Sequence, residues 1–186
     1  MRTLRNRGEA VTEALKTHRR LGLLLAFGLF VADQLVKYLV TGPLGVDYFG
    51  KSREILPFFN LTYTRNYGVS MGLLRADSEL MRWGLVALTI AISIGVVAWM
   101  WKEKRRADVL ALGAVLGGAL GNIVDRVRFG YVVDFADLHF GEIRPFLIFN
   151  VADAAITIGV LVLLVRAFLM REPAKATKDS TETVDA

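Results

Sequence analysis

Residues 21–40 read LGLLLAFGLFVADQLVKYLV, twenty residues in which Asp33 and Lys37 are the only charged side chains. A helix rises 1.5 Å per residue, so this stretch is about 30 Å long, the thickness of a bilayer's hydrocarbon core. Three more runs of the same character follow, at about 83–101, 109–126 and 146–170. The middle two are near the minimum for a span, roughly 17–20 residues. The chain has 186 residues, 54% of them hydrophobic, and a mean hydropathy of +0.43. Its charges are confined between the apolar runs. The expected fold is an all-α membrane protein with four transmembrane helices, a small β-rich extracytoplasmic segment and a second extracytoplasmic loop.

The basic residues orient the helices. Arg2, Arg5, Arg7, Lys16, Arg19 and Arg20 precede the first run. Lys102, Lys104, Arg105 and Arg106 lie between the second and third, and Arg171, Lys175 and Lys178 follow the fourth. Four spans put all three clusters on one side, so both termini are expected in the cytoplasm. The net charge of +5 and the pI near 9.7 are therefore read as topology signals and contacts with membrane lipids, not as a nucleic-acid surface. A cleaved signal peptide is not expected, because the first apolar run continues through Asp33 to Val40 and no small-x-small site follows. The chain lacks cysteine, which excludes disulfides, thiol catalysis and a lipid anchor through Cys.

This reading divides the chain into a basic cytoplasmic segment over 1–20, a four-helix membrane domain over 21–170, and a polar tail over 171–186. The tail is expected to be cytoplasmic and disordered. Residues 42–80 form the larger extracytoplasmic segment. Its Phe58-Phe59-Asn60-Leu61-Thr62-Tyr63-Thr64 is rich in aromatic and β-branched residues and predicts short strands. Residues 127–147 form the second extracytoplasmic segment, read as a loop. No internal repeat is evident.

Laid on this topology, the polar residues that are expensive in a membrane fall at one depth. Asp33 lies in the outer part of the first helix, and Asn122, Asp125 and Arg126 at the outer end of the third. Asn66 and Asp134 are in the outer loops, and Asn150 and Asp153 near the outer start of the fourth helix. A shared site near the outer leaflet explains that clustering. On the third helix Gly113, Gly117 and Gly121 repeat every four residues, a small-xxx-small stripe that lets a neighbouring backbone approach. Asp125 continues the spacing.

Asp134 and Asp153 carry the most information. If the loop folds back onto the fourth helix they form a pair of carboxylates. Such a pair does not readily ionise twice, so one member can act as acid while the other acts as base. The alternative is an interfacial Asp that caps a helix or pairs with an Arg. Asn150 and Asp153, at i and i+3, would share one helical face. Asp33 and Lys37 at i and i+4 read as a helical ion pair, and Asp125 as a partner for a nearby cation. Asn66-Tyr67-Gly68 reads as a turn, with Gly68 supplying positive φ. Ser70 with Lys37 is a weaker candidate for a Ser-Lys pair. His18 and His139 have no second ligand at metal spacing, so no metal and no cofactor are expected.

Five blocks together resemble bacterial lipoprotein signal peptidase (signal peptidase II), over about Leu21 to Leu169. They are Asp33-Gln34-Leu35-Val36-Lys37, Asn66-Tyr67-Gly68-Val69-Ser70-Met71, Gly118-Ala119-Leu120-Gly121-Asn122-Ile123-Val124-Asp125-Arg126, Val132-Val133-Asp134-Phe135, and Phe149-Asn150-Val151-Ala152-Asp153. The second block departs from the family, which often has Ala-Ala-Phe where this chain has Val69-Ser70-Met71.

The resemblance implies an inner-membrane aspartic endopeptidase. Asp134 and Asp153 match its catalytic dyad. Asp33, Asn66, Asn122, Arg126 and Asn150 match polar residues lining the substrate site, while Asp125, Lys37, Gly68 and Gly121 are assigned structural roles. The implied substrates are diacylglyceryl-modified prolipoproteins, cut just before the lipidated Cys by a monomeric enzyme. Two other classes compete. A proton- or ion-coupled carrier would spread polar residues over several depths and often show an inverted repeat. A structural assembly factor leaves the clustered carboxylates unexplained.

Overall fold

The computed structural model describes residues 2–68 and 79–169, with side chains from residue 13 onward. Val69-Ser70-Met71 and the tail over 171–186 lie outside the described residues. The element order is α1 (Arg2–Thr41), β1 (Ser52–Leu56), β2 (Phe59–Asn66), α2 (Glu79–Lys102), α3 (Arg106–Phe129), β3 (Val132–Leu138) and α4 (Val151–Leu169). Four helices are long and apolar enough to cross a membrane. A three-stranded antiparallel sheet in the order β1-β2-β3 covers one end of the bundle, as the sequence reading expects.

The centre of the bundle is α3. Within its apolar window 72% of residues are buried, against 22%, 17% and 17% for α1, α2 and α4. Small residues make this possible. A Cβ added to Gly117 would stand 2.5 Å from the carbonyl oxygen of Ala26, and Gly113 rests likewise on the backbone of Gly22. The opposite face of α3 meets α4. Gly118 abuts the backbone of Ala152, and Gly159 of α4 leaves room for Ala111 and Val115. The glycine stripe thus serves α1, and a second pair of glycines serves α4. The outward sides of α1, α2 and α4 carry exposed Phe27, Ile94, Leu161 and Phe168, the apolar surface that hydrocarbon requires.

Three boundaries differ from expectation. First, α1 begins at Arg2 rather than near residue 21. Its 40 residues reach about 60 Å, twice a hydrocarbon core. The basic segment contains no proline, so nothing in it stops the helix. Second, the expected loop over 127–147 contains β3. Every residue from Val132 to Asp137 is buried, so the strand lacks the polar-apolar alternation by which a one-sided strand is recognised. Third, α4 starts at Val151, not near Phe146. Phe149 is held extended by β3: the N–H groups of Phe135 and Ala136 donate to its carbonyl at 3.1 and 2.7 Å, and its own N–H donates to Ala136. The helix can begin only after that pairing ends.

The sheet packs on the bundle through Val40, Val46, Leu61, Tyr63, Val133 and Phe135. At the same end Gly130, with φ of 85°, stops α3 in the left-handed conformation. Arg82 of α2 donates to the carbonyls of Arg126 and Val127 at 2.8 and 2.5 Å, the first of which also accepts the N–H of Gly130.

Candidate active site

Asp134 is the third residue of β3 and is 2% exposed. Asp153 lies in the first turn of α4 and is half-buried. Pairing of Phe149 with β3 folds the intervening segment back, and the amides of Asn150 and Asn122 link the two carboxylates.

The orientation of each amide follows from its neighbours. Asn150 stands just before α4, and its Oδ1 accepts the N–H of Asp153 at 2.9 Å, capping the helix. Its Nδ2 therefore faces acceptors: Asp134 Oδ1 at 2.6 Å, the Val133 carbonyl at 3.2 Å and Asn122 Oδ1 at 3.3 Å. Asn122 Oδ1 is thereby occupied, and its Nδ2 donates to Asp153 Oδ1 at 2.8 Å. Asn66 Oδ1 accepts the N–H of Gly68 at 2.8 Å, which leaves its amide nitrogen to donate to Asp134. Every Oδ1 is taken by a donor, so every Nδ2 turns toward a carboxylate. Asn150 acts as a cap at the helix boundary, not as a partner of Asp153 on one helical face.

Gly68 has φ of 85°, as the turn reading requires. A side chain here would also strike Leu85 and crowd the Arg126 guanidinium. Arg126 extends from α3 into the field of Asp153 and Asp134. Its Nε is buried and lacks a hydrogen-bond partner among the described residues.

Burial pushes the Asp134 carboxyl from its ordinary value of 3.8 up to about 7, and the nearby charge of Asp153 adds to the rise. Donors from Asn66 and Asn150 and the charge of Lys37 oppose it. A carboxyl with that value is part-protonated near neutral pH and can give or take a proton there.

The remaining residues singled out in the sequence lie beneath this cluster. Asp33, expected to line the site, is wholly buried between α1, α3 and α4, and its Oδ1 accepts the N–H of Ala152 at 3.0 Å. Its carboxylate is part of the framework. Lys37 Nζ lies 2.8 Å from Asp33 and 2.7 Å from Asp125. Gly121 leaves room for Asp33, since an added Cβ would stand 2.5 Å from its Oδ2. Gln34, to which the sequence reading assigned no role, donates to Asp33 at 3.2 Å and to Asp125 at 3.0 Å. Its partner in α3 is 91 positions away, beyond the reach of any local pattern.

Residues 25–169 match the family model described as Signal peptidase (SPase) II. The chain belongs to the signal peptidase II family. It is 53% identical to the lipoprotein signal peptidase of Rhizorhabdus wittichii over 176 residues, covering 95% of this chain and 99% of that one. It is 50% identical to the lipoprotein signal peptidase of Sphingopyxis alaskensis, covering 94% and 100%. A bacterial membrane enzyme solved by the in meso method at 2.3 Å shares its fold with a TM-score of 0.69 and 31% identity, over 84% of this chain and 94% of that one. A second such structure, at 1.9 Å, gives 0.69 and 33% over 82% and 94%. As a signal peptidase II, the chain is a protease, and its four apolar helices make it a multi-pass membrane protein.

Proposed function

We propose that this protein removes signal peptides from diacylglyceryl-modified prolipoproteins, cutting before the lipidated Cys with Asp134 and Asp153 as an aspartic dyad. One observation carries the reading: a single chain of asparagine amides reaches from Asp134 to Asp153. The names of its relatives, lipoprotein signal peptidases, support lipoprotein precursors as the substrates.

Asp134 is deeply buried and raised to about 7, which favours the shared proton on its side of the pair. Asp153, in the first turn of α4, sits where the helix dipole favours negative charge. Asp153 takes a proton from a water placed between the two, and the water oxygen attacks the scissile carbonyl. Asp134 gives its proton to the carbonyl oxygen. As the tetrahedral intermediate collapses, the proton on Asp153 passes to the leaving nitrogen, one hydroxyl of the intermediate returns its proton to Asp134, and the C–N bond breaks. The products are the signal peptide's carboxylate and the free amine of the lipidated Cys. Arg126 and Asn66 supply donors for substrate carbonyls. The proton belongs to the pair as a whole, so the pH profile reports pair values.

The positive-inside pattern supports a sheet that faces the extracytoplasmic side, with both termini in the cytoplasm. The site then lies near the outer leaflet, where a substrate's lipid can stay in the membrane while its peptide reaches the dyad.

The test is cleavage of a diacylglyceryl-modified prolipoprotein by wild type, Asp134→Asn and Asp153→Asn, each checked for folding. Both folded variants are expected to lose cleavage. Normal turnover by either one overturns the dyad.

A further inference from the structure

The proposed chemistry leaves unused a cluster of three buried charges beside the pair: Asp33, Lys37 and Asp125, at 0%, 5% and 1% exposure. Burying an ion costs several kcal/mol, and among the described residues none of the three is hydrogen-bonded to either carboxylate of the pair. What they do hold is backbone. Asp33 Oδ1 accepts the N–H of Ala152 at 3.0 Å, and Asp125 Oδ2 accepts the N–H of Val133 at 3.0 Å. Ala152 and Val133 are the residues immediately before Asp153 and Asp134. The two anchors are on different helices, and one ammonium joins them. Lys37 Nζ stands 2.8 Å from Asp33 Oδ2 and 2.7 Å from Asp125 Oδ2.

We propose that Lys37 is a positioning residue that sets the separation of Asp134 and Asp153, by clamping together the two carboxylates that hold their backbones. This rests on reading the two aspartates as the dyad. Without the ammonium, two buried like charges face each other. They separate or one takes up a proton, and either change loosens one of the two backbone anchors. The segments carrying the dyad then move independently. Gln34 braces the same two carboxylates but carries no charge to offset their repulsion. A compact ammonium can sit between two carboxylates at such distances, whereas a planar guanidinium needs a broader, fork-shaped contact. Arg is therefore a poor substitute despite its charge.

A displacement of about 1 Å at a catalytic pair lowers turnover about 100-fold. That loss is expected in kcat, with KM little changed, for folded Lys37→Met and Lys37→Arg. Because the Lys37 charge draws the Asp134 value down, the alkaline limb of the Lys37→Met profile should also move to higher pH. The full-length protein, reconstituted in vesicles, is assayed on a diacylglyceryl-modified prolipoprotein beside Asp134→Asn and Asp153→Asn. Lys37→Met combined with Asp125→Asn removes one charge of each sign, so it should recover thermal stability but not kcat. If Lys37→Met alone fails to fold, that double variant decides by the same criterion. Wild-type kcat with an unshifted profile in a folded Lys37 variant, or a loss confined to KM, overturns the proposal. Cleavage by the Asp134→Asn or Asp153→Asn protein sinks the dyad itself instead, which keeps the two failures distinct.

Discussion

Asn150 Nδ2 stands 2.6 Å from Asp134 Oδ1. The other end of the same amide caps α4 by accepting the N–H of Asp153 at 2.9 Å. One side chain at a strand-to-helix junction therefore sets the helix start, donates to one carboxylate and fixes the backbone of the other. The chemistry of an amide, one acceptor end and one donor end, makes the arrangement directional.

Replacing Asn150 separates these tasks. Asn150→Ala loses the cap, about 1 kcal/mol, together with the donor to Asp134. Asn150→Asp keeps a capping oxygen but puts another carboxylate beside Asp134. The Asp variant should melt below wild type, because its carboxylate is buried and no longer donates to Asp134 or the Val133 carbonyl, and should cleave poorly, with its alkaline limb displaced upward. Thermal unfolding and a pH–rate profile on both variants check this. An Asp variant with normal turnover contradicts it.

Stability should depend on pH through Asp134. Its carboxyl binds its proton more tightly folded than unfolded, with a value of about 7 against 3.8. Between those pH values the folded state holds a proton that the unfolded state has lost, so stability falls as pH rises through the window. The stabilising effect is complete below about 3.8 and lost above about 7. Asp134→Asn removes this dependence. It should melt higher than wild type at pH 8, with the gap closing toward pH 4, as differential scanning calorimetry at the two pH values would reveal.

The glycines of α3 should differ in what they disturb. At Gly117 a methyl would meet the Ala26 backbone, which cannot step aside as a side-chain end can. Gly117→Ala is expected to cost about 1–3 kcal/mol while the molecules that remain folded retain turnover. At Gly121 the methyl meets the Asp33 carboxylate, one of the two backbone anchors. Gly121→Ala should lower kcat beyond any loss of folded protein. Equal effects on specific activity would refute the distinction.

At the far end of the bundle, Arg166 of α4 forms a two-point ion pair with Asp108 of α3. This pair is remote from the aspartates, so Asp108→Ala should lower stability by roughly 1–3 kcal/mol and leave the pH–rate profile in place. A displaced profile would show coupling between the two ends.

The spans, the basic clusters and the single depth of the polar residues were legible because hydropathy and charge are summed locally along a chain. So was Gly68, whose positive φ answers a turn signal carried by its own neighbours. The third strand was not legible. Burial on both faces erased the alternation that identifies a strand, and its β character comes from pairing with β2. The start of α4 was placed too early for a related reason. Phe146 to Asn150 are apolar enough to extend the span, and only the pairing of Phe149 with Ala136 withholds them from the helix.

Asp33 and Lys37 show where sequence reading ends. Their i, i+4 pairing was predictable from one turn of helix. That Asp33 grips a backbone N–H 119 residues away, and that the same lysine also grips Asp125, was not. By itself the sequence determined that this is a four-span membrane protein with its costly polar groups gathered at one end, since those properties depend on residue type and order alone. The tertiary structure decided which groups face the proposed reaction and which stand behind it, because a buried carboxylate's role is set by the donors around it, and those donors come from helices and strands distant in the chain.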